Sequence, residues 1–372
     1  MKDRWGRTID YMRISITDRC NLRCKYCMPF GVKPVSHQDN LTFEEIREIV
    51  CCGAGLGIRH IKITGGEPLV RKGCCELIRM IKAVPGIEHV TLTTNGILLE
   101  EYLDELVQSG IDGVNISLDT LDEDLYQRIT GYDGLAIVLR VLNRASALPI
   151  PVKINAVSMD WSDLGGMMKN GLLENGRMEN GIIENDTADN GLAVPEEALA
   201  EEGGQTRPGR LEKNDGWKEI VRLAERYPVD VRLIEMMPIG YGKKYRTVSH
   251  TELLAEMQQE FPGMERENRV HGFGPAVYYR VPGFLGSIGL ISAVHGKFCE
   301  NCNRVRLTTQ GYLKTCLCYE DGVDLRAILR GGRGRKELEA AIREAIFGKP
   351  ADHCFEAPEK ITEHRNMVDI GG

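Results

Sequence analysis

Cys20, Cys24 and Cys27 stand in one run, Thr17-Asp18-Arg19-Cys20-Asn21-Leu22-Arg23-Cys24-Lys25-Tyr26-Cys27-Met28-Pro29, with three residues between the first pair and two between the second. Three thiolates crowded onto a loop that leaves a short apolar strand can close on a cubic iron-sulfur cluster, one ligand short of its four irons. An open fourth iron can chelate a small molecule, as a catalytic zinc with three protein ligands keeps one position for substrate. The competing readings are a structural zinc knuckle and buried free thiols. Zinc sites favour paired C-x-x-C units or histidine ligands, and neither lies nearby.

A second set of thiols sits near the other end of the chain, in Phe298-Cys299-Glu300-Asn301-Cys302-Asn303-Arg304-Val305-Arg306-Leu307-Thr308-Thr309-Gln310-Gly311-Tyr312-Leu313-Lys314-Thr315-Cys316. Gln310-Gly311 falls midway between two β-like runs, so a hairpin would return Cys316 to the side of Cys299 and Cys302. Here zinc, held with one more ligand such as Cys318, is a real competitor for the cluster.

The elements that must position these thiols alternate. Strands are expected from Met12 to Thr17, His60 to Thr64, His89 to Thr93, Gly113 to Ser117, Val152 to Val157 and Val229 to Glu235. Helices fall between them, the first opened by the capping box Thr42-Phe43-Glu44-Glu45 and one running through Ala147. Strict alternation implies a parallel sheet with right-handed crossovers. Successive strand residues point to opposite faces. One face carries Met12, Ile14, Ile61, Ile63, Val90, Leu92, Val114, Ile116, Val152 and Ile154; the other carries Arg13, Ser15, Lys62, Thr64, Thr91, Thr93, Asn115, Ser117, Lys153 and Asn155. A closed and packed barrel lumen would be lined by Val, Ile and Leu. The fold class is therefore α/β, a partial (βα)6 barrel whose lumen holds a polar ligand, followed by a smaller C-terminal α+β region. Arg13, Lys62 and Lys153 reach into that lumen from three strands, and a buried cationic trio calls for an anionic ligand such as a triphosphate.

The chain has 372 residues, a hydrophobic content of 42% and a net charge of -7, enough for a full core and unsuited to nonspecific nucleic-acid binding. The acidity is local: thirteen Asp and Glu against five Lys and Arg fall between Asp160 and Gly216. Asn-Gly or Asn-Asp pairs recur there every five residues, from Asn170 to Asn190, a period that matches neither helix nor strand. The domain expectation is thus a barrel over 1–237 containing an acidic low-complexity insertion at 160–216, then a domain over 238–372 that carries the second trio and a Gly-Gly tail. Met1-Lys2-Asp3-Arg4-Trp5 has charge without an apolar signal-peptide core, and no stretch approaches membrane-spanning length. A reducing cytoplasm is expected, in which the clustered thiols hold metal. The remaining cysteines, Cys51, Cys52, Cys74, Cys75, Cys318 and Cys354, are expected as small buried apolar residues.

The three-then-two cysteine spacing resembles that of the radical S-adenosylmethionine (SAM) enzymes. Together with Thr64-Gly65-Gly66-Glu67-Pro68, the second trio with Arg304 and Arg306, and the terminal Asp369-Ile370-Gly371-Gly372, the chain resembles the GTP 3′,8-cyclase family, which opens molybdenum cofactor biosynthesis. The resemblance runs from about Gly6 to Val157 and from about Trp217 to Gly372, leaving out the acidic insertion. It implies two 4Fe-4S clusters, on Cys20, Cys24 and Cys27 and on Cys299, Cys302 and Cys316, with SAM on the open iron of the first and guanine on that of the second. It also implies SAM contacts at Tyr26, Gly66, Ser117 and Met237, and GTP contacts at Arg13, Lys62, Thr93, Lys153, Arg304, Val305 and Arg306. Gly371 and Gly372 are implied to reach the catalytic pocket beside Arg13, Arg304 and Arg306. Glycine at position 66 suits a close approach of backbone to the methionine moiety.

By the same resemblance, an electron from the first cluster splits SAM into methionine and a 5′-deoxyadenosyl radical, which takes hydrogen from C3′ of the GTP ribose. The carbon radical then attacks C8 of guanine, and one more electron and a proton give 3′,8-cyclo-7,8-dihydro-GTP. The partners implied are an electron donor such as flavodoxin or ferredoxin and a downstream cyclic pyranopterin monophosphate synthase, with a homodimer possible and no nucleic acid or membrane. The alternative is a radical SAM peptide-modifying enzyme with an auxiliary cluster, which usually carries more C-terminal cysteines and leaves a triphosphate-binding set of Arg and Lys unexplained.

Overall fold

The computed structural model describes residues 1–31, 36–161 and 216–371. Most of the acidic segment expected at 160–216, and Gly372, lie outside the described residues.

Six parallel strands follow one another in chain order: β1 (Tyr11–Ser15), β2 (His60–Thr64), β3 (His89–Thr94), β4 (Val114–Ser117), β5 (Val152–Ser158) and β6 (Asp230–Glu235). The apolar face expected from alternation is the one the helices cover: Met12, Ile14, Ile61, Ile63, Val90, Leu92, Val114, Ile116, Val152 and Ile154 all belong to one buried core. That face drives assembly, since fully burying one such side chain contributes about 1.5–3 kcal/mol.

Three details depart from the sequence reading. The helix expected to run through Ala147 is two, α4 (Glu123–Thr130) and α5 (Leu135–Ser146), because Gly131 takes a left-handed conformation (φ 72°) that ends the first. The parallel sheet is wider than six strands, because β9 (Ile288–Ile291) joins β6 in parallel and β10 (Arg304–Leu307) joins β1 in parallel. Antiparallel strands extend both edges: β7 (Glu265–Glu267) and β8 (Val277–Arg280) beyond β9, and β11 (Tyr312–Lys314) and β12 (Gly322–Asp324) beyond β10. The boundary expected at 237/238 therefore falls inside one continuous twelve-stranded sheet, within the compact unit made of Met1–Asp160 and Asp215–Gly372. The third departure concerns the spare cysteines: Cys52, Cys74, Cys75 and Cys318 are buried, whereas Cys51 and Cys354 are half-buried. Among the described residues no helix is long and apolar enough to cross a membrane.

Helix α1 (Phe43–Gly55) starts where the capping box places it. The Glu45 amide donates to Thr42 Oγ1 at 3.2 Å, and the Thr42 amide donates to Glu45 Oε2 at 2.8 Å. Replacing Thr42 by Ala removes the first of these bonds and should lower stability by about 1 kcal/mol. A lowered thermal midpoint checks this, and a midpoint equal to that of the wild type would show the cap to be idle.

Candidate active site

The loop after β1 carries the first trio and is tied down on three sides. The Gly66 amide donates to Thr17 O (2.7 Å) and the Glu67 amide to Arg19 O (2.8 Å). The Asn95 side chain after β3 donates to Asn21 Oδ1 at 2.8 Å, and the Arg23 and Lys25 amides donate to Thr130 O (2.8 Å) and Ile129 O (2.9 Å) at the end of α4. Within the loop, the Cys27 amide closes a turn onto Cys24 O at 3.0 Å.

The structure gives a sharper reason for the glycine pair than a close approach to a ligand. A Cβ on Gly66 would lie 2.3 Å from Arg19 O, and one on Gly65 would lie 2.6 Å from Thr17 O. The turn after β2 thus packs backbone to backbone against the thiol-bearing loop, and any side chain there pushes the loop out. Gly66 also borders the cavity.

The second trio is assembled by the expected hairpin. Leu307 pairs with Leu313 and Arg306 with Lys314, and Gly311 turns the chain at φ 83°. Cys299 opens a short 3-10 turn in which the Cys302 amide donates to Cys299 O at 3.1 Å. Arg7, clamped by Asp3 at 2.6 Å, donates to Cys299 O (2.9 Å) and to the carbonyls of Pro350 and Ala351.

Both trios line a single cavity of about 350 Å³ at the C-terminal ends of the parallel strands. Its electrostatics differ at the two ends. Burial pushes the Cys20 thiol up to about 11 and the Cys27 thiol up to about 12, and burial, Cys27, Asp119 and Cys20 hold Cys24 well above its ordinary value. Three half-buried thiols crowded on one short loop are a donor set of the kind an iron-sulfur cluster takes as thiolates. At the second trio, Lys349 and Arg304 outweigh burial and lower Cys302. Cys316 falls to about 6, mainly through the hydrogen bond that Cys318 donates to it. Cys318 is buried in a small apolar cluster with Ile239, Phe355 and Ile361 and does not line the cavity.

Arg13, Arg304, Arg306, Tyr26, Thr93, Ser117 and Met237 all border the cavity as well. Tyr26 donates its hydroxyl to Asp119 at 2.8 Å, and Asp119 accepts from the Val157 amide at 2.8 Å while burial raises its carboxyl to about 6. The Nε atoms of Arg13 and Arg304 are buried without a hydrogen-bond partner among the described residues. Arg306 donates to the carbonyl of Gly371 at 2.7 Å, which brings the described end of the tail into the site. Gly372 itself lies outside the described residues.

Three of the expected contact residues do not line the cavity. Lys62 is 9% exposed and sits below the cavity, its ammonium depressed well below the usual range by burial and by Arg232, Arg13 and Lys153. Lys153 does not point free into the lumen, for it pairs with Asp230 at 3.0 Å and donates to the carbonyl of His271 and to Tyr278 Oη. Val305 is registered against Met12 on the helix-covered face, so its side chain is in the core.

Other site residues escaped the sequence reading. Asp119 and Arg232 carry a signal, since each continues the polar alternation of its strand: Asn115, Ser117, Asp119 on one and Asp230, Arg232 on the other. Arg232 donates to Asn155 Oδ1 at 2.9 Å. Glu67, held by Thr94 Oγ1 (2.8 Å) and the Asn95 amide (2.7 Å) and raised to about 7 by burial, was legible only as part of its turn. Arg7 and Lys349 reach the site from loops and carry no local pattern.

Comparison with known proteins agrees with this geometry. Residues 14–163 match the Radical SAM superfamily, and residues 229–355 match Molybdenum Cofactor Synthesis C. The chain is 38% identical over 373 residues to a GTP 3′,8-cyclase of Clostridium perfringens strain SM101, with all of both chains covered. It is 37% identical over 372 residues to that of Peptoclostridium acidaminophilum, covering 100% of this chain and 98% of the relative. Among solved structures, Streptococcus suis SuiB bound to S-adenosylmethionine superposes with a TM-score of 0.57 at 12% identity, over 97% of this chain and 77% of that one.

The contact at Gly66 makes a direct prediction. Gly66→Ala forces the thiol-bearing loop away from the β2 turn, so the anaerobically reconstituted protein should lose the iron held by the first trio and keep that of the second. Full iron content in this variant would show that the loop yields without losing its thiol geometry.

Proposed function

The chain belongs to the GTP 3′,8-cyclases, radical SAM enzymes of the first step of molybdenum cofactor biosynthesis, and on that premise we propose how its cavity divides the reaction. The observation that carries the reading is that both cysteine trios and the guanidinium groups of Arg13, Arg304 and Arg306 border one cavity. Cys20, Cys24 and Cys27 would hold one 4Fe-4S cluster on the side that takes SAM, and Cys299, Cys302 and Cys316 would hold the other on the side that takes GTP. When bound, these groups supply the electron and the hydrogen abstraction that join C3′ of the ribose to C8 of guanine.

The protein's share is placement and exclusion of water. Tyr26, fixed by its bond to Asp119, shapes the SAM side together with Gly66, Ser117 and Met237. Thr93, Arg13, Arg304 and Arg306 shape the GTP side. The unpartnered Nε atoms of Arg13 and Arg304 support this, because a triphosphate offers oxygens to buried donors that otherwise cost free energy. Lys62 and Arg232, on the same polar face of the sheet and close enough to act on each other, add to the positive potential, whereas the charge of Lys153 is offset by Asp230. Val305 contributes its backbone. Arg306, held on the Gly371 carbonyl, couples the tail to the substrate. A peptide substrate would leave the cationic set without counter-charge. The proposal extends to an electron donor of the flavodoxin or ferredoxin type, a cyclic pyranopterin monophosphate synthase that takes the product, a homodimer and a cytoplasmic location.

The division of work is tested at the thiols. Cys27→Ala should abolish formation of 5′-deoxyadenosine, whereas Cys316→Ala should retain some cleavage of SAM with no cyclised GTP; equal loss in both would refute separate roles. The tail gives a second test. Deleting Gly371 and Gly372, or appending an alanine after Gly372, should sharply reduce cyclisation while 5′-deoxyadenosine formation persists. Wild-type cyclisation by an extended chain would remove the tail from the mechanism.

A further inference from the structure

The opposite end of the barrel holds ligand-type side chains that the reaction does not use. His60 opens β2 and His89 opens β3, and the two are register partners across the parallel pair. Their ring centroids lie 5.3 Å apart. Glu88 precedes His89, and one ligand atom from each of the three residues lies within 4.8 Å of the others. His60 is 6% exposed, and Nδ1 of both rings is buried without a hydrogen-bond partner among the described residues. An unmet buried polar atom costs about 1–3 kcal/mol, and a histidine kept only for packing normally satisfies such an atom with a carbonyl or a carboxylate. Phe273 lies flat on His60, at 3.4 Å between centroids and 11° between planes, and 4.7 Å from His89, so the imidazoles are held in place.

The donor set selects the ion. Imidazole ligates metal in its neutral form, through a ring nitrogen that is free to accept, and the Nδ1 atoms of His60 and His89 meet that condition. Asp10 and Glu88 face His60 as anions, and Arg59, 3.8 Å from Glu88 Oε1, is the opposing cation. Two imidazoles and one carboxylate suit a transition-metal dication of the zinc type better than magnesium or calcium, which require oxygen ligands. Zinc bonds of about 2.0–2.1 Å set tetrahedral ligand atoms roughly 3.4 Å apart, and the exposed Glu88 has the freedom to close that distance.

We propose that His60, His89 and Glu88 form a three-ligand site for a zinc-type dication at the N-terminal end of the barrel, separate from both cysteine trios. Water completes the tetrahedron, and the ion fastens β2 to β3 at the end where a parallel barrel carries stability rather than chemistry.

The test uses the protein with both clusters loaded, given one equivalent of zinc under anaerobic conditions and dialysed against buffered micromolar zinc. Zinc and iron are then counted by mass spectrometry in the wild type, His89→Gln and Glu88→Gln. The wild type should retain about one zinc per chain with its iron unchanged, and His89→Gln should bind zinc at least about tenfold more weakly. Glu88 is exposed, so Glu88→Gln folds normally and should weaken zinc binding while GTP turnover is kept. The proposal is overturned by equal zinc in all three proteins, by no zinc on the wild type, or by zinc gained only as iron is lost.

Discussion

Like charges placed opposite each other on neighbouring strands repel, yet Arg306, Arg13 and Lys62 stand in one register across β10, β1 and β2. Adjacent strands are about 4.8 Å apart, so three cations share one row of the lumen floor, with Arg304 and Arg232 close enough to act on them. The strain is visible in the groups themselves. Burial and mutual repulsion bring the Arg13 guanidinium down to about 10 and push Lys62 and Arg306 well below their usual ranges. A sheet can carry such a row because its other face is bound so firmly: Met12, Ile61 and Val305, the registered neighbours on the apolar side, are each at most 1% exposed. The apolar face holds the sheet together, and the polar face keeps a standing demand for an anion.

The remaining architecture places the two cysteine trios along the same cavity. The loop after β1 is pressed against the Gly65-Gly66 turn so tightly that no Cβ fits. The second trio flanks the hairpin of β10 and β11, Cys299 and Cys302 just before it and Cys316 just after, and β10 itself supplies Arg304 and Arg306. Strand β10 therefore does two jobs, joining the barrel edge to β1 and delivering both cations and thiols to one cavity. The C-terminal region is continuous with the barrel sheet through β9 and β10, and its residues share the same cavity.

Most of this was legible in the sequence because alternation reports faces directly. The strand positions, the polar lumen, the capping box and the hairpin return to Cys316 all follow from period and turn chemistry. What the pattern could not carry was partner choice. Lys153 sits on the expected strand and face, but Asp230 on the neighbouring strand and the carbonyl of His271 take its ammonium. Val305 lies between two arginines in sequence and points the other way, as alternation itself demands. Arg7 and Lys349 reach the second trio from loops, where no period exists to betray them. The parallel addition of β9 and β10 at the two edges was hidden because long-range pairing leaves no local trace.

The central claim, that the cation row is kept for a polyanionic substrate, is tested most directly by calorimetry on the cluster-loaded protein with GTP and with guanosine. If the row receives the triphosphate, GTP should bind at least about a hundredfold tighter than guanosine, roughly 2.7 kcal/mol, and the difference should shrink in Arg13→Gln. Equal affinities for the two ligands would contradict the account and leave the row of buried cations without a physical reason.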